Sequence, residues 1–133
     1  MTRFAIDAGV ALRLIREKRT IAAGDSLVAP AALRSDVMAM LYREVRAGSL
    51  SDREARELLE QLASLRVRLL GDRVSRSTAW KIATELDSDD IARAEYIAVA
   101  RLQADVLVAS DERLRAAAAG SVTLADFSEL ATN

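Results

Sequence analysis

The chain has 133 residues, of which 51% are hydrophobic and 29% are charged, and its formal net charge is −1. This length and balance are typical of one globular domain with its own core. The chain contains no histidine and no cysteine. Their absence excludes a disulfide framework, a thiolate or imidazole metal site and a Ser-His-Asp triad. Any catalysis would therefore depend on carboxylates.

The charge balance does not indicate a general nucleic-acid-binding surface. Of the 19 basic residues, only Lys18 and Lys81 are lysines. Arginine suits bidentate contacts with phosphate or carboxylate, but a GC-rich genome gives the same bias without any function. No stretch approaches the ~20 apolar residues of a membrane span, and MTRFAIDAG lacks the apolar region of a signal peptide. We expect a cytoplasmic protein without a membrane segment.

The first part of the chain alternates apolar runs with helical patterns. RFAID predicts a buried strand that ends at Asp7, and AGVALRLIREKRT predicts a helix with apolar residues at helical spacing. DSLVAP predicts a second strand. Pro30 then fits the first turn of the helix AALRSDVMAMLYREVRAG, which stops near Gly48.

The second part continues the alternation. Ser51 and Glu54 have the spacing of a capping box that opens a third helix. LRVRLL predicts a strand, and SRSTAWKIATEL predicts a helix with Trp80 and Ile82 in the core. We expect a further helix from about residue 89 to 103, the strand ADVLVAS, the short helix DERLRAAAAG, a last strand SVTLADF and the tail SELATN.

This order predicts a single α/β domain over residues 1–133, with a central, mainly parallel sheet flanked by helices in three layers. Ligands of such folds bind at the carboxyl ends of the strands. Asp7 and Asp111 follow predicted strands, although an aspartate there is also a common N-cap. Asp36 lies on an apolar helix face, where its carboxylate needs a partner such as Arg34 or Arg43, or a metal ion.

These three aspartates and the cluster DSDD, residues 87–90, could meet at one end of the sheet. Close carboxylates repel each other unless they are protonated or neutralised by a cation. Because histidine and cysteine are absent, the matching ion is a hard one, Mg²⁺ or Mn²⁺. Such a site would hydrolyse phosphodiester bonds with an activated water. Asp7→Asn should then abolish Mn²⁺ binding and phosphodiester cleavage while leaving the fold intact.

Three segments, FAIDAGVALRL, LVAPAALRSDVMAMLYREVRAGSLS and AEYIAVARLQADVLVASDERL, resemble the motifs of PIN domains in order and spacing. Those motifs read Asp-Thr-Ser-Ala, Ser-Glu-Val, Asp-Ala-x-Tyr-x-Ala-Leu-Ala and Thr-Ala-Asp-x-x-Leu. Among PIN domains, the chain resembles the VapC-type toxins of bacterial toxin–antitoxin pairs. The resemblance implies a PIN-like fold and a Mg²⁺- or Mn²⁺-dependent endoribonuclease that acts on RNA, with catalytic and metal-binding acids at Asp7, Asp36 and Asp111. It also implies an antitoxin peptide as partner and a homodimer.

Arg93 stands where the resemblance places a further acid. In one interpretation Asp90 or Asp89, one turn earlier, reaches the metal, and Arg93 holds RNA phosphate or a carboxylate. In another, Arg93 occupies the metal position and pairs with Asp7 or Asp111, so that catalysis is weak or absent. In a third, Asp89 and Asp90 favour the helix start and pair with Arg93 on the surface.

The residues around these acids also depart from the motifs. Ala8, Gly9 and Ala109 stand where threonine or serine is common, and the loss of those hydroxyls would weaken the orientation of the carboxylates. We expect Glu95 and Ser110 to support the acids from the perimeter of the site. These departures favour the alternative of a catalytically degenerate module that binds RNA or a protein partner without cleavage.

Two further surfaces are candidates for contacts with partners. Arg13 and Arg43 could follow an RNA backbone, although most such arginines lie on solvated helix faces. The homodimer could form through the helix at 51–64 or through the apolar face around Leu41 and Val45.

Overall fold

Four parallel strands form the central sheet of the computed structural model, which describes residues 1–130. The strands are β1 (Arg3–Ile6), β2 (Ser26–Pro30), β3 (Arg68–Leu70) and β4 (Val106–Val108), in the order β3-β2-β1-β4. All three strand pairs are parallel, and Phe4 of β1 pairs with Leu27 of β2 and with Val106 of β4. The prediction of an α/β fold with a parallel sheet is confirmed.

The helices between and after the strands are α1 (Ala8–Arg16), α2 (Leu33–Arg46), α3 (Asp52–Ser64), α4 (Arg73–Glu85), α5 (Ile91–Gln103), α6 (Glu112–Ala118) and α7 (Phe127–Leu130). Helix α1 packs with α2 and α3, whereas α4 packs with α5, which also contacts β1 and β2. The chain runs from β1 through β2 to β3 in one direction across the sheet and then returns to β4 on the other side of β1. Because parallel crossovers are right-handed, connections that run in opposite directions place their helices on opposite faces of the sheet. The strand order reverses between β1 and β4.

The core lies on both faces of the sheet, which is why the strands are short runs of apolar residues. Ile6 and Leu107, on neighbouring strands, are fully buried, as are Leu33 of α2 and Ile97 of α5. Each such side chain contributes roughly 1.5–3 kcal/mol relative to exposure to water. In α5, residues 96–100 are all buried, so this helix is enclosed by the sheet and its neighbours.

Two predicted element boundaries are wrong. Pro30 ends β2, where it pairs with Leu70 of β3, and does not open α2. It lies beyond the last β2 residue that pairs with β1, so it can end the strand without disrupting that ladder. The run SVTLADF forms no strand in the described part of the chain and contributes two isolated bridges, from Leu124 to Leu107 and from Val122 to Ala119. Of the predicted tail, residues 131–133 lie outside the described residues.

The structure also differs from the sequence-based prediction in the burial of two side chains, Trp80 and Leu41. Trp80 is 73% exposed, whereas Ile82 is buried as expected. Leu41 is 1% exposed and Val45 is half-buried against the core, so the apolar face proposed for dimerisation packs within the protein. Among residues 1–130, no helix has the length and apolar content that crossing a membrane would need.

Candidate functional site

A cleft of about 650 Å³ opens at the carboxyl ends of β1 and β4, where the strand order reverses. Such reversal points are the usual ligand sites of parallel α/β folds. Four aspartates from four separate segments line it: Asp7 after β1, Asp36 on α2, Asp90 before α5 and Asp111 after β4. Other residues that line it are Gly9, Arg43, Arg93, Tyr96 and Ser110.

The side chain of Asp7, at the end of β1, is hydrogen-bonded to the backbone that follows β4. Its Oδ1 accepts the N–H of Val10 at 2.9 Å, which caps α1, and its Oδ2 accepts the N–H groups of Ser110 and Asp111 at 2.9 and 3.0 Å. The Asp7 side chain is buried, with the residue 4% exposed. Since a buried carboxylate is costly without donors, these backbone N–H groups explain how Asp7 is accommodated. Both of its oxygens are thereby committed to protein donors.

Gly9 makes room for the hydroxyl of Ser110. A Cβ placed on Gly9 would lie 1.9 Å from Ser110 Oγ, which is far inside van der Waals contact. From that position the hydroxyl approaches both oxygens of Asp7, at 3.3 and 3.4 Å. The sequence predicts that the hydroxyls absent at positions 8, 9 and 109 weaken the support of the acids. One hydroxyl is instead present at position 110, beside Asp7.

Asp36 accepts a hydrogen bond from Tyr96, whose hydroxyl lies 2.7 Å from Asp36 Oδ2. Burial raises the pKa of Tyr96 above its ordinary value. The hydrogen bond to Asp36 and the negative charges of Asp36, Asp7 and Glu95 raise it further. Tyr96 therefore stays protonated and acts as a donor. The sequence suggested an arginine or a metal as the partner of Asp36 and missed this tyrosine, which lies 60 positions away.

Asp90 is the N-cap of α5, and its Oδ1 accepts the backbone N–H of Arg93 at 3.0 Å. Its Oδ2 lies 3.2 Å from the Arg93 guanidinium. This combination of a capping bond and an ion pair matches the third interpretation for Asp90. The pair lies in the cleft, however, and the Arg93 side chain is only 22% exposed. Among residues 1–130, the buried Arg93 Nε has no hydrogen-bond acceptor.

The other predicted site residues lie at different places. Arg43 lines the cleft, whereas Asp89 lines a separate groove. The guanidinium of Arg13 lies over the ring of Phe127, 3.9 Å from its centroid, and outside the cleft lining. Glu95 is half-buried and does not line the cleft, although its charge acts on the tyrosine described above.

The cleft acids offer only oxygen donors, the kind that hard cations prefer. In the part of the chain that the structure describes, however, no three acidic side chains lie together as a group that could hold a metal ion. Asp36 Oδ1 and Asp111 Oδ2 are the cleft carboxylate oxygens with neither a hydrogen bond nor an ion pair among residues 1–130. Mg²⁺ or Mn²⁺ in this cleft therefore remains a prediction.

Comparison with solved structures identifies the fold. PAE2754 from Pyrobaculum aerophilum matches with a TM-score of 0.71 and 22% identity, over 95% of this chain and 90% of that chain. VapBC2 from Rickettsia felis, in a complex with a DNA fragment from the promoter, matches with a TM-score of 0.63 and 11% identity, over 93% and 98%. The fold is PIN-like. No family model and no curated protein sequence matches the chain, so these likenesses show the fold alone.

Proposed function

We propose that this chain is the PIN-like toxin of a toxin–antitoxin pair and that its cleft is an endoribonuclease site. The observation that carries the proposal is the convergence of Asp7, Asp36, Asp90 and Asp111 on one cleft at the reversal of strand order. The similarity in fold to VapBC2 and the order of the sequence motifs support the pairing with an antitoxin. A cytoplasmic location and a homodimer belong to the same proposal.

The charge of the cleft bears on how RNA would bind there. Four carboxylates and the guanidiniums of Arg43 and Arg93 leave a formal charge of −2 in the lining. This charge repels a phosphodiester, so RNA requires positive charge to approach the acids. A divalent cation would supply two positive charges and an activated water for hydrolysis. We propose Mg²⁺ or Mn²⁺, with Asp36 and Asp111 as the acids whose free oxygens are available to it.

The pair of Asp90 and Arg93 favours a second candidate function, a module that binds RNA or a protein partner without cleaving. Arg93 supplies a permanent positive charge where the resemblance places an acid. Asp7 has both oxygens engaged with protein donors. In this candidate the guanidiniums of Arg43 and Arg93 bind phosphate directly, as arginine forks do elsewhere.

Calorimetric titration with Mn²⁺ and an RNA cleavage assay separate the two candidates. The first candidate predicts that the wild-type protein binds Mn²⁺ and cleaves RNA, and that Asp111→Asn loses both. The second predicts that the wild type does neither but binds RNA, and that Arg93→Asp, which restores an acid, gains ion binding and cleavage. If the wild type and Arg93→Asp both fail to bind Mn²⁺ and RNA, the first candidate and the RNA-binding form of the second are refuted.

The choice of control follows from the hydrogen bonds. The side chain of Asp111 caps α6 through a single bond from the N–H of Arg113, and asparagine is as good an N-cap as aspartate. Asp111→Asn therefore removes charge and preserves the fold. Asp7→Asn is unsuitable, because an amide nitrogen cannot accept the N–H groups that Asp7 accepts. We expect it to cost about 1–3 kcal/mol of stability, contrary to the prediction from sequence.

A further inference from the structure

We propose that a second groove, outside the acidic cleft, docks a basic amphipathic segment of a partner protein. This Trp80 groove has a volume of about 360 Å³ and lies where α4 ends and α5 begins. Trp80, Ala83 and Ile91 form its apolar part, and Asp87 and Asp89 form its acidic part. The inference does not depend on the endoribonuclease proposal, because none of these residues lines the cleft.

The apolar part of the groove is unusually open to solvent. Trp80 is 73% exposed and Ile91 is 44% exposed, although α4 and α5 pack closely on each other and have buried faces of their own. Tryptophan is the residue type most enriched among the side chains that dominate protein–protein binding energies. It offers a large apolar face together with a ring that attracts cations.

The acidic part decides what kind of partner fits. Asp87 and Asp89 are exposed, and among residues 1–130 neither carboxylate has an ion pair or a side-chain hydrogen bond. No basic residue lines the groove. Complementary charge therefore favours a partner that carries lysine or arginine beside apolar side chains. A second copy of this chain packed symmetrically on the same patch would instead bring like charges together.

Asp87 offers a way to remove an acid without weakening the fold. It follows α4 with a φ of 51°, in the left-handed region. Its N–H donates to the carbonyl of Thr84, and that of Ser88 donates to the carbonyl of Ala83. This is the Schellman motif, in which glycine is the preferred residue at the position of Asp87. Asp87→Gly should therefore raise the melting temperature while it removes one carboxylate from the groove.

Trp80 is the only tryptophan in the chain, so its fluorescence reports on the groove in the unmodified protein. The probe is a synthetic amphipathic helix of leucine and arginine, and the matched control peptide has glutamate in place of arginine. We expect a saturable blue shift of the emission with the arginine peptide alone, and weaker binding as salt increases. Asp87→Gly should weaken the affinity about two- to five-fold, whereas Asp52→Asn, an exposed acid on α3, should not change it.

Three results would overturn the proposal: no shift with the arginine peptide, an equal shift with both peptides, or a shift that appears on raising the protein concentration without peptide. The last result would identify a second copy as the occupant. Trp80→Ala, monitored by anisotropy of a labelled arginine peptide, should lower the affinity roughly ten-fold. Because Trp80 is mostly exposed, this variant is expected to fold, and unchanged affinity would also refute the proposal.

Discussion

Gly9→Ala should destabilise the protein through its contact with Ser110. The new Cβ would lie 1.9 Å from Ser110 Oγ and 3.1 Å from Ser110 Cβ, so the hydroxyl must rotate away from Asp7. A hydrogen bond to a charged group contributes about 1.5–3 kcal/mol, and the long distances here favour the low end. Alanine in a helix gains roughly 0.5–1 kcal/mol over glycine. We expect a net loss of about 1 kcal/mol.

The test is a double-mutant cycle with Ser110→Ala. In the Ser110→Ala background the hydroxyl is absent. Gly9→Ala then keeps the stability that alanine gains over glycine in a helix, and its new Cβ contacts only the Cβ of residue 110. We expect a coupling of about 1–2 kcal/mol between the two positions. Urea unfolding of the four proteins measures this coupling energy. The dependence of the free energy of unfolding on urea concentration should be the same in all four proteins. If Gly9→Ala has the same effect in both backgrounds within about 0.5 kcal/mol, the steric explanation is refuted.

Three other predictions concern single residues. The backbone N–H of Ser51, followed by its hydroxyl, lowers the pKa of Glu54, so Glu54 stabilises the protein above its unfolded pKa. This contribution is lost as the pH falls through the folded pKa. In Glu54→Gln, the free energy of unfolding measured in urea should therefore decrease less at acid pH than in the wild type. Because the pKa of Tyr96 is raised, its protonated form stabilises the fold below the unfolded pKa, about 10, and the contribution is lost as the pH rises. In a Tyr42→Phe background, phenolate absorbance should appear only on alkaline unfolding, and its appearance in the folded protein would contradict this. Asp87→Gly should raise the free energy of unfolding in urea by about 0.5–1 kcal/mol, and a decrease would show that the carboxylate is structural.

The sheet could be predicted because its strands are short apolar runs next to segments of helical period. The ends of the elements are harder to predict, since one residue type can suit two positions. Pro30 is compatible with the first turn of a helix and with the end of a strand, and the pairing with β3 that decides between them is not local. Val122 and Leu124 alternate as in a strand but make isolated bridges, because a pattern of period two does not show how many residues pair.

The convergence of the acids was predictable in part. Asp7 and Asp111 follow β1 and β4, and strand ends meet at one edge of a parallel sheet. The separation of Asp89 from Asp90 was not predictable, because Asp90 is the N-cap of α5 and Asp89 precedes it, so no helical period fixes the direction of either side chain. One lines the Trp80 groove and the other lines the cleft. Ser110 was expected to support the acids, and its hydroxyl lies beside Asp7. The hydroxyl of Tyr96 on Asp36 connects residues 60 positions apart, which no local spacing can reveal.

The ion pair between Asp90 and Arg93 is too weak to exclude a divalent cation from the cleft by its own attraction. Its side chains are 38% and 22% exposed, and partly solvated pairs of this kind contribute at most about 1 kcal/mol. A divalent cation bound with millimolar affinity corresponds to about 4 kcal/mol. The attraction within the pair alone is therefore too weak to exclude such an ion. If the wild-type protein fails to bind Mn²⁺, the cause must lie in the positive charge of Arg93 near the other acids, in the commitment of both Asp7 oxygens, or in the lack of three grouped acids among residues 1–130. Ion binding by Arg93→Asp would identify the first cause, and its absence would refute it.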